Sequence, residues 1–170
     1  LSVLSQIMIQ MHEHGLDRSS LVVAVGGGVV GDIAGFAAAS YMRGIPYVHV
    51  PTTLLAMADS SVGGKVAVDL PTGKNMAGAF YQPKAVYIDI NYLKTLPRAE
   101  VLAGLAEIIK HGLIKDKSLF GYIETHLGLL LKRDEKALLY AITRNVEIKA
   151  GIVQADEREQ GLRKILNFGH

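Results

Sequence analysis

Apolar positions change their spacing part-way along the chain. Leu4, Ile7, Met8 and Met11 recur at helical intervals, and Gly15 offers a C-terminal cap. Leu21-Val22-Val23-Ala24-Val25 is a continuous apolar run of strand length, the pattern of a buried parallel strand. Gly26-Gly27-Gly28 interrupts it, and Val29 to Ser40 resumes with small, helix-compatible side chains. Tyr47 to Val50 predicts a second buried strand, stopped by Pro51, and Val66 to Leu70 and Ala85 to Asp89 predict two more. Strand, glycine turn, helix, strand is the order of a βαβ unit. From Pro97 onward the period is helical. Helices are predicted over about 98–115, 117–131, 134–155 and 160–168. The change falls between Asn91 and Pro97. It predicts an α/β N-terminal domain over residues 1–96 and an all-helical C-terminal domain over 97–170.

Composition narrows the classes. Of 170 residues, 49% are hydrophobic and 20% charged, enough apolar material for a core and too much for a disordered chain. A net charge of +2 gives no electrostatic reason to expect nucleic acid. With no Cys, disulfides and thiolate metal sites are excluded, so any metal must sit on His and carboxylates. No apolar stretch reaches the ~18 residues of a membrane span. Leu1 to His14 shows no basic segment followed by a cleavage site, so the expectation is a soluble, cytoplasmic protein without membrane contact. Leu1 at the start and His170 hard against Phe168-Gly169 suggest an internal segment, incomplete at both ends.

Gly26-x-Gly28-x-x-Gly31 follows a strand and precedes a helix. Glycines there let backbone N–H groups approach phosphate oxygens, and the helix N-terminus adds a favourable dipole. A tight turn without ligand explains the same residues. The acidic residue that a dinucleotide fold places about 20 residues on is missing, because that region reads Val48-His49-Val50-Pro51-Thr52-Thr53. Asp32 either meets a ribose or caps the helix. Asp59-Ser60-Ser61-Val62-Gly63-Gly64-Lys65 and Gly73-Lys74-Asn75 place donors in glycine-rich turns, suited to an anion or simply solvated. No nucleophile elbow surrounds Ser60 or Ser61, which excludes a serine hydrolase of that type.

In the helical half, Glu107 shares a face with Lys110 and His111 and sits among Leu105, Ala106, Ile108 and Ile109. A partly buried carboxylate needs a cation, and the simplest is Lys110. Arg163, Asn167 and His170 fall at i, i+4 and i+7, on one stripe of a helix. Glu107 with His170 offers two ligands of a type suited to Zn²⁺, one short of a catalytic set. His12, His14, His49 and His126 have no ligand-like spacing and read as surface or core residues.

Taken together, several segments resemble the 3-dehydroquinate synthase family. They are Gly26 to Asp32, Val50-Pro51-Thr52-Thr53-Leu54-Leu55-Ala56-Met57, Asp59 to Lys65, Gly73-Lys74-Asn75, Gly78 to Pro83, Leu105-Ala106-Glu107-Ile108-Ile109-Lys110 and Leu166-Asn167-Phe168-Gly169-His170. They occur in family order from about residue 20 to the end. The resemblance implies an α/β domain that binds NAD, a helical domain that binds a divalent metal, Zn²⁺ or Co²⁺, and an active site in the cleft between them. The implied reaction converts 3-deoxy-D-arabino-heptulosonate 7-phosphate to 3-dehydroquinate with loss of phosphate, in the shikimate pathway. It also implies a homodimer. Carried onto this sequence, Gly28, Val29, Val30, Gly31 and Asp32 approach the NAD pyrophosphate and ribose. Thr52, Thr53, Lys65, Lys74 and the run Tyr92, Leu93, Lys94, Thr95 add contacts to the cofactor or its surroundings. Glu107 and His170 match two of three metal ligands. Asp59, Lys65, Asn75, Lys110, Lys149, Arg163 and Asn167 match substrate-site positions, and Arg43 matches an arginine that reaches the neighbouring subunit. His111 stands where an aromatic residue is more usual and is not assigned as a ligand. Related alternatives are another sugar-phosphate cyclase, such as a 2-deoxy-scyllo-inosose synthase, a metal-dependent alcohol or glycerol dehydrogenase, and a nucleotide-binding chain without turnover.

Overall fold

The computed structural model describes residues 1–169. His170, expected as a metal ligand, lies outside the described residues. The chain divides into two compact units. One comprises Leu1–Pro51 and Gly64–Tyr87, the other Thr52–Gly63 and the residues from Ile88 onward.

The first unit is the expected α/β part. It contains α1 (Ser2–Glu13), β1 (Val22–Gly26), α2 (Gly28–Ser40), β2 (Tyr47–Pro51), β3 (Lys65–Leu70), β4 (Gly73–Phe80) and β5 (Ala85–Val86). Strands β1, β2 and β5 form a parallel sheet in that order, with Val22 opposite Tyr47 and Val48 opposite Ala85. Leu4 and Met11 of α1 join Ala37, Ala38, Tyr41, Ile45, Tyr47 and Val66 in its core. Two expectations differ. Strand β1 is not buried on both sides: Val23 and Val25 are about half exposed while Ala24 between them is buried, so one face of the strand is covered and the other is not. Strand β3 does not join the parallel sheet. It pairs antiparallel with β4, a strand that the Gly-, Met- and Ala-rich sequence did not announce. Small side chains lack the β-branched signal, yet Gly78 is required because a Cβ there would lie 2.3 Å from the Val66 carbonyl oxygen.

The second unit holds α3 (Arg98–Lys115), α4 (Lys117–Leu131) and α5 (Glu135–Ala155), close to the predicted spans. Their starts follow from capping chemistry. The Asp116 carboxylate accepts from the Ser118 and Leu119 N–H groups, and that of Asp134 from Ala137 N–H. Leu54, Met57 and Ala58 are fully buried with Leu105, Ile108, Leu119 and Leu138. Leu93 and Leu96 belong to the same core. Segments 52–63 and 88–96 therefore group with the helices, where a boundary at 96/97 would assign them to the α/β part. Their apolar side chains supply one wall of the helical core. The predicted fourth helix is instead a 3₁₀ segment, Leu162–Asn167. Among the described residues no helix is long and apolar enough to cross a membrane.

Gly31 sets how closely α2 rides on the sheet. A Cβ at this position would stand 2.0 Å from Cε1 of His49, a buried β2 residue. Gly31→Ala should therefore destabilise the protein by about 1–3 kcal/mol in chemical denaturation. That penalty should shrink in a His49→Ala background. Burial also holds the His49 imidazole below its ordinary 6.5. The unfolded chain then binds the proton first, so this contribution to stability is complete above pH 6.5 and is lost as pH falls through the lower folded value. Denaturation midpoints of His49→Leu measured across this range should show a flatter acid limb.

Candidate functional site

The site is built around a short helical segment in the second unit. Thr53 Oγ1 accepts from Ala56 N–H at 3.1 Å and starts the turn. Over Ala56–Ser60 the turn widens, with Ser61 N–H donating to the carbonyl of Ala56, five residues back, at 3.1 Å. Carbonyls near its C-terminal end then serve side chains from elsewhere. Asn145 Nδ2 donates to Ala58 O at 2.6 Å, Lys149 Nζ to Asp59 O at 2.5 Å, and Arg163 Nη2 to Gly63 O at 3.0 Å. Asn145 and Lys149 are four apart on α5 and share a face. Donors and cations suit this end of a helical segment, where the carbonyl dipoles point outward. Gly63 has a φ of 114°, and a Cβ there would stand 2.4 Å from Arg163 Nη2.

The side chains form a charged cluster. Lys149 Nζ donates to Asp59 Oδ1 at 2.7 Å, and Lys110 pairs with Glu107 one helical turn away. His111 is fully buried, with Nδ1 2.6 Å from Asn145 Oδ1 and Nε2 3.9 Å from Asp59 Oδ1. One donor atom from each of Asp59, Glu107 and His111 lies within 4.8 Å of the others. Burial works against the Asp59 carboxylate, but the adjacent Lys149 ammonium holds it below the usual carboxylate range. Burial lowers Lys149 from its ordinary value, with Asp59 pulling the other way. Burial likewise lowers His111, opposed by its hydrogen bond to Asn145.

Of the residues expected at a site, the structure brings Asp59, Glu107, Lys110 and Lys149 together. Arg163 is buried and also donates from Nη1 to Glu157 O at 2.5 Å. It does not share a stripe with Asn167. The 3₁₀ geometry turns Asn167 outward to Glu159 Oε1 at 2.9 Å while Arg163 points inward. Thr52, Thr53, Tyr92, Lys94 and Thr95 are partly or fully exposed in the second unit, whereas Leu93 is a core residue. In the first unit, Gly28, Val29, Val30, Gly31 and Asp32 form the opening of α2. Its N-cap is Gly27 with no side-chain bond, so Asp32 does not cap it. Lys65, Lys74 and Asn75 are exposed on the β3–β4 hairpin, and Asn75 takes a left-handed φ of 56° while its N–H donates to Asp69 Oδ1. Arg43 is exposed at a left-handed turn after α2. Asn145 and the His111 contact were missed. The signal for Asn145 was its place in the apolar phase of α5, among Leu138, Ala141, Ile142, Ile148 and Ile152.

Two family models account for the whole chain. One described as 3-dehydroquinate synthase N-terminal matches residues 1–103, and one described as 3-dehydroquinate synthase C-terminal matches residues 104–170. The chain belongs to the 3-dehydroquinate synthase family. A 3-dehydroquinate synthase of Caldanaerobacter subterraneus subsp. tengcongensis is 60% identical over 159 residues, covering 94% of this chain and 45% of the relative. The chain thus spans less than half the length of that relative. Among solved structures, the 2-epi-5-epi-valiolone synthase of Streptomyces hygroscopicus subsp. jinggangensis, with NAD⁺ and Zn²⁺ bound, is 35% identical with a TM-score of 0.94, over 99% of this chain and 48% of that one. A 2-deoxy-scyllo-inosose synthase complexed with carbaglucose-6-phosphate, NAD⁺ and Co²⁺ is 34% identical with a TM-score of 0.93, over 99% and 46%.

Removing the Lys149 ammonium strands the Asp59 carboxylate. Lys149→Met should cost about 3 kcal/mol, the lower part of the range for breaking a buried pair, because the Asp59 side chain keeps 31% exposure. The Asp59 pairing stabilises above its ordinary 3.8 and is lost as pH falls through the depressed folded value. Acid titration of unfolding should show this component in the parent and not in Lys149→Met.

Proposed function

We propose that the complete protein is a 3-dehydroquinate synthase, converting 3-deoxy-D-arabino-heptulosonate 7-phosphate to 3-dehydroquinate with release of phosphate. The observation that carries this reading is the cluster itself. Asp59, Glu107, Lys110 and Lys149, which by the family resemblance match substrate or metal positions, converge in one partly buried group of a chain that the two family models cover. NAD at the Gly28–Asp32 turn and a divalent metal held by Glu107 and His170 complete the reading. The donor chemistry fits such an ion, since carboxylate oxygens and imidazole nitrogens are what Zn²⁺ and Co²⁺ accept, and the buried His111 Nε2 beside them lacks a hydrogen-bond partner among the described residues.

When bound, NAD supplies a reversible hydride acceptor and the metal polarises a hydroxyl oxygen. The chain's own residues bind and orient. Lys110, Lys149 and Arg163 provide the positive charge that a substrate carrying phosphate and carboxylate needs. Asp59, kept ionised by Lys149, accepts from a substrate hydroxyl and fixes its direction. Lys65, Lys74 and Asn75 of the first unit add donors for substrate or cofactor. Arg43 would serve a neighbouring subunit's site in a homodimer, and the protein would work in the cytoplasm.

The two solved cyclases at 34–35% identity support a second reading, a cyclase acting on a different sugar phosphate. Phosphate release separates the two. The complete protein with NAD⁺ and Zn²⁺ should release phosphate from the heptulosonate phosphate without net NADH. Release only from a hexose phosphate would establish the second reading, and accumulation of NADH from an alcohol would replace both with a dehydrogenase. Glu107→Gln should lower bound metal and reduce turnover by at least about a hundredfold, within the range for losing a group that acts on the transition state.

A further inference from the structure

Arg43 stands on an unusual stretch of backbone. Met42, Arg43 and Gly44 take φ values of 48°, 70° and 117°, three consecutive residues in the left-handed range. Two of them carry side chains, which that range disfavours. Such a conformation persists only where its surroundings hold it, and it gathers at sites that need a fixed geometry. Here the clasp is visible. Gly44 N–H donates to Tyr41 O at 2.8 Å and Ile45 N–H to Ala38 O at 2.9 Å, tying the turn to the end of α2. Tyr41 Oη donates to Leu16 O at 2.8 Å. From the other side, Tyr81 Oη donates to Ile45 O at 2.9 Å, and a Cβ on Gly44 would stand 3.2 Å from that hydroxyl. Tyr81 is itself held: its ring stacks on Tyr47 with centroids 5.9 Å apart, and its carbonyl accepts from Tyr47 Oη at 3.2 Å. What this clasp presents is an exposed arginine whose guanidinium has no hydrogen-bonded or ionic partner among the described residues.

We propose that Tyr81 is a positioning residue for Arg43: through its hydroxyl on Ile45 O it fixes the left-handed turn, and so the direction in which the guanidinium meets an anionic group of the substrate in the neighbouring subunit's site. The inference rests on the reading that Arg43 serves that site. Entropy explains the arrangement. An arginine on a loose turn gives up both backbone and rotamer freedom when it grips a ligand, whereas a turn already fixed leaves only the side chain to order. Direction matters because a guanidinium meets carboxylate or phosphate as a planar fork, through two parallel N–H···O bonds. Reversing the chain from α2 to β2 asks for less than this. One left-handed glycine ends a helix, yet here two further left-handed residues and two tyrosine hydroxyls are engaged.

The test uses the complete protein. Tyr81→Phe removes the hydroxyl and keeps the ring stack. It should lower kcat/KM for the heptulosonate phosphate about tenfold, mainly through KM, with NAD⁺ and Zn²⁺ affinities unchanged. Arg43→Ala should cost more, and Tyr81→Phe added to it should cost nothing further, because nothing is left to position. Mixed dimers fix the direction of the effect. With Glu107→Gln silencing one subunit, the working site lies in the other. Tyr81→Phe in the silenced subunit should lower kcat/KM of the working site about tenfold, and Tyr81→Phe in the working subunit should not. A loss that follows the working subunit, or an undiminished loss in the Arg43→Ala background, would overturn the proposal. So would parental kcat/KM in Tyr81→Phe; if Arg43→Ala is then impaired, only the role of Tyr81 falls. If Arg43→Ala is parental as well, or the complete protein is a monomer, the reading of Arg43 falls with it.

Discussion

The arrangement of the helical unit depends on how the end of one short segment is satisfied. Residues 54–63 enter the core through Leu54, Met57 and Ala58, and this strands carbonyl groups away from water. Buried carbonyls must find donors. Asn145, Lys149 and Arg163 supply them, to Ala58, Asp59 and Gly63 in turn. The same bonds fix where Asp59 stands, because its carbonyl and its carboxylate share one ammonium group. Structural satisfaction and the charged cluster are one network, so a residue such as Lys149 cannot be assigned wholly to packing or wholly to chemistry.

Much of this was legible in order but not in depth. The three long helices follow from their apolar period and from the aspartates that open α4 and α5. The β1–α2–β2 unit follows from its glycine turn. The ion pair of Glu107 with Lys110 follows from spacing alone. What failed shares a cause. Periodicity describes one element at a time, whereas β4, the 3₁₀ segment and the place of 52–63 are decided by contacts between distant parts of the chain. Gly161 to Asn167 carries a helical stripe, but the Asp156 carboxylate accepts from the backbone N–H groups of Gln160, Gly161 and Arg163 and gathers the chain into a tighter path.

For the charged cluster, the sequence pointed to several of its members and missed the buried layer behind it. Glu107 and Lys110 were identifiable because charge on an apolar face demands a partner, whereas Lys149 came only from the family resemblance. Asn145 was not, because a neutral amide in the core phase of α5 resembles a tolerated imperfection until its two bonds are seen. His111 is tied into that layer through the contact of its Nδ1 with Asn145 Oδ1.

The widened turn at Ala56–Ser60 gives the segment a phase that ordinary helical geometry would not. It accommodates one surplus residue within the span that a regular turn would fill. Deleting a single residue there would let the turn close to regular winding, leaving the residues beyond it in phase but displacing those inside the widened turn. Asp59 and the carbonyls beside it would then face the wrong neighbours although every remaining amino acid was unchanged. Segment length, and not only side-chain identity, is therefore a quantity this fold must preserve.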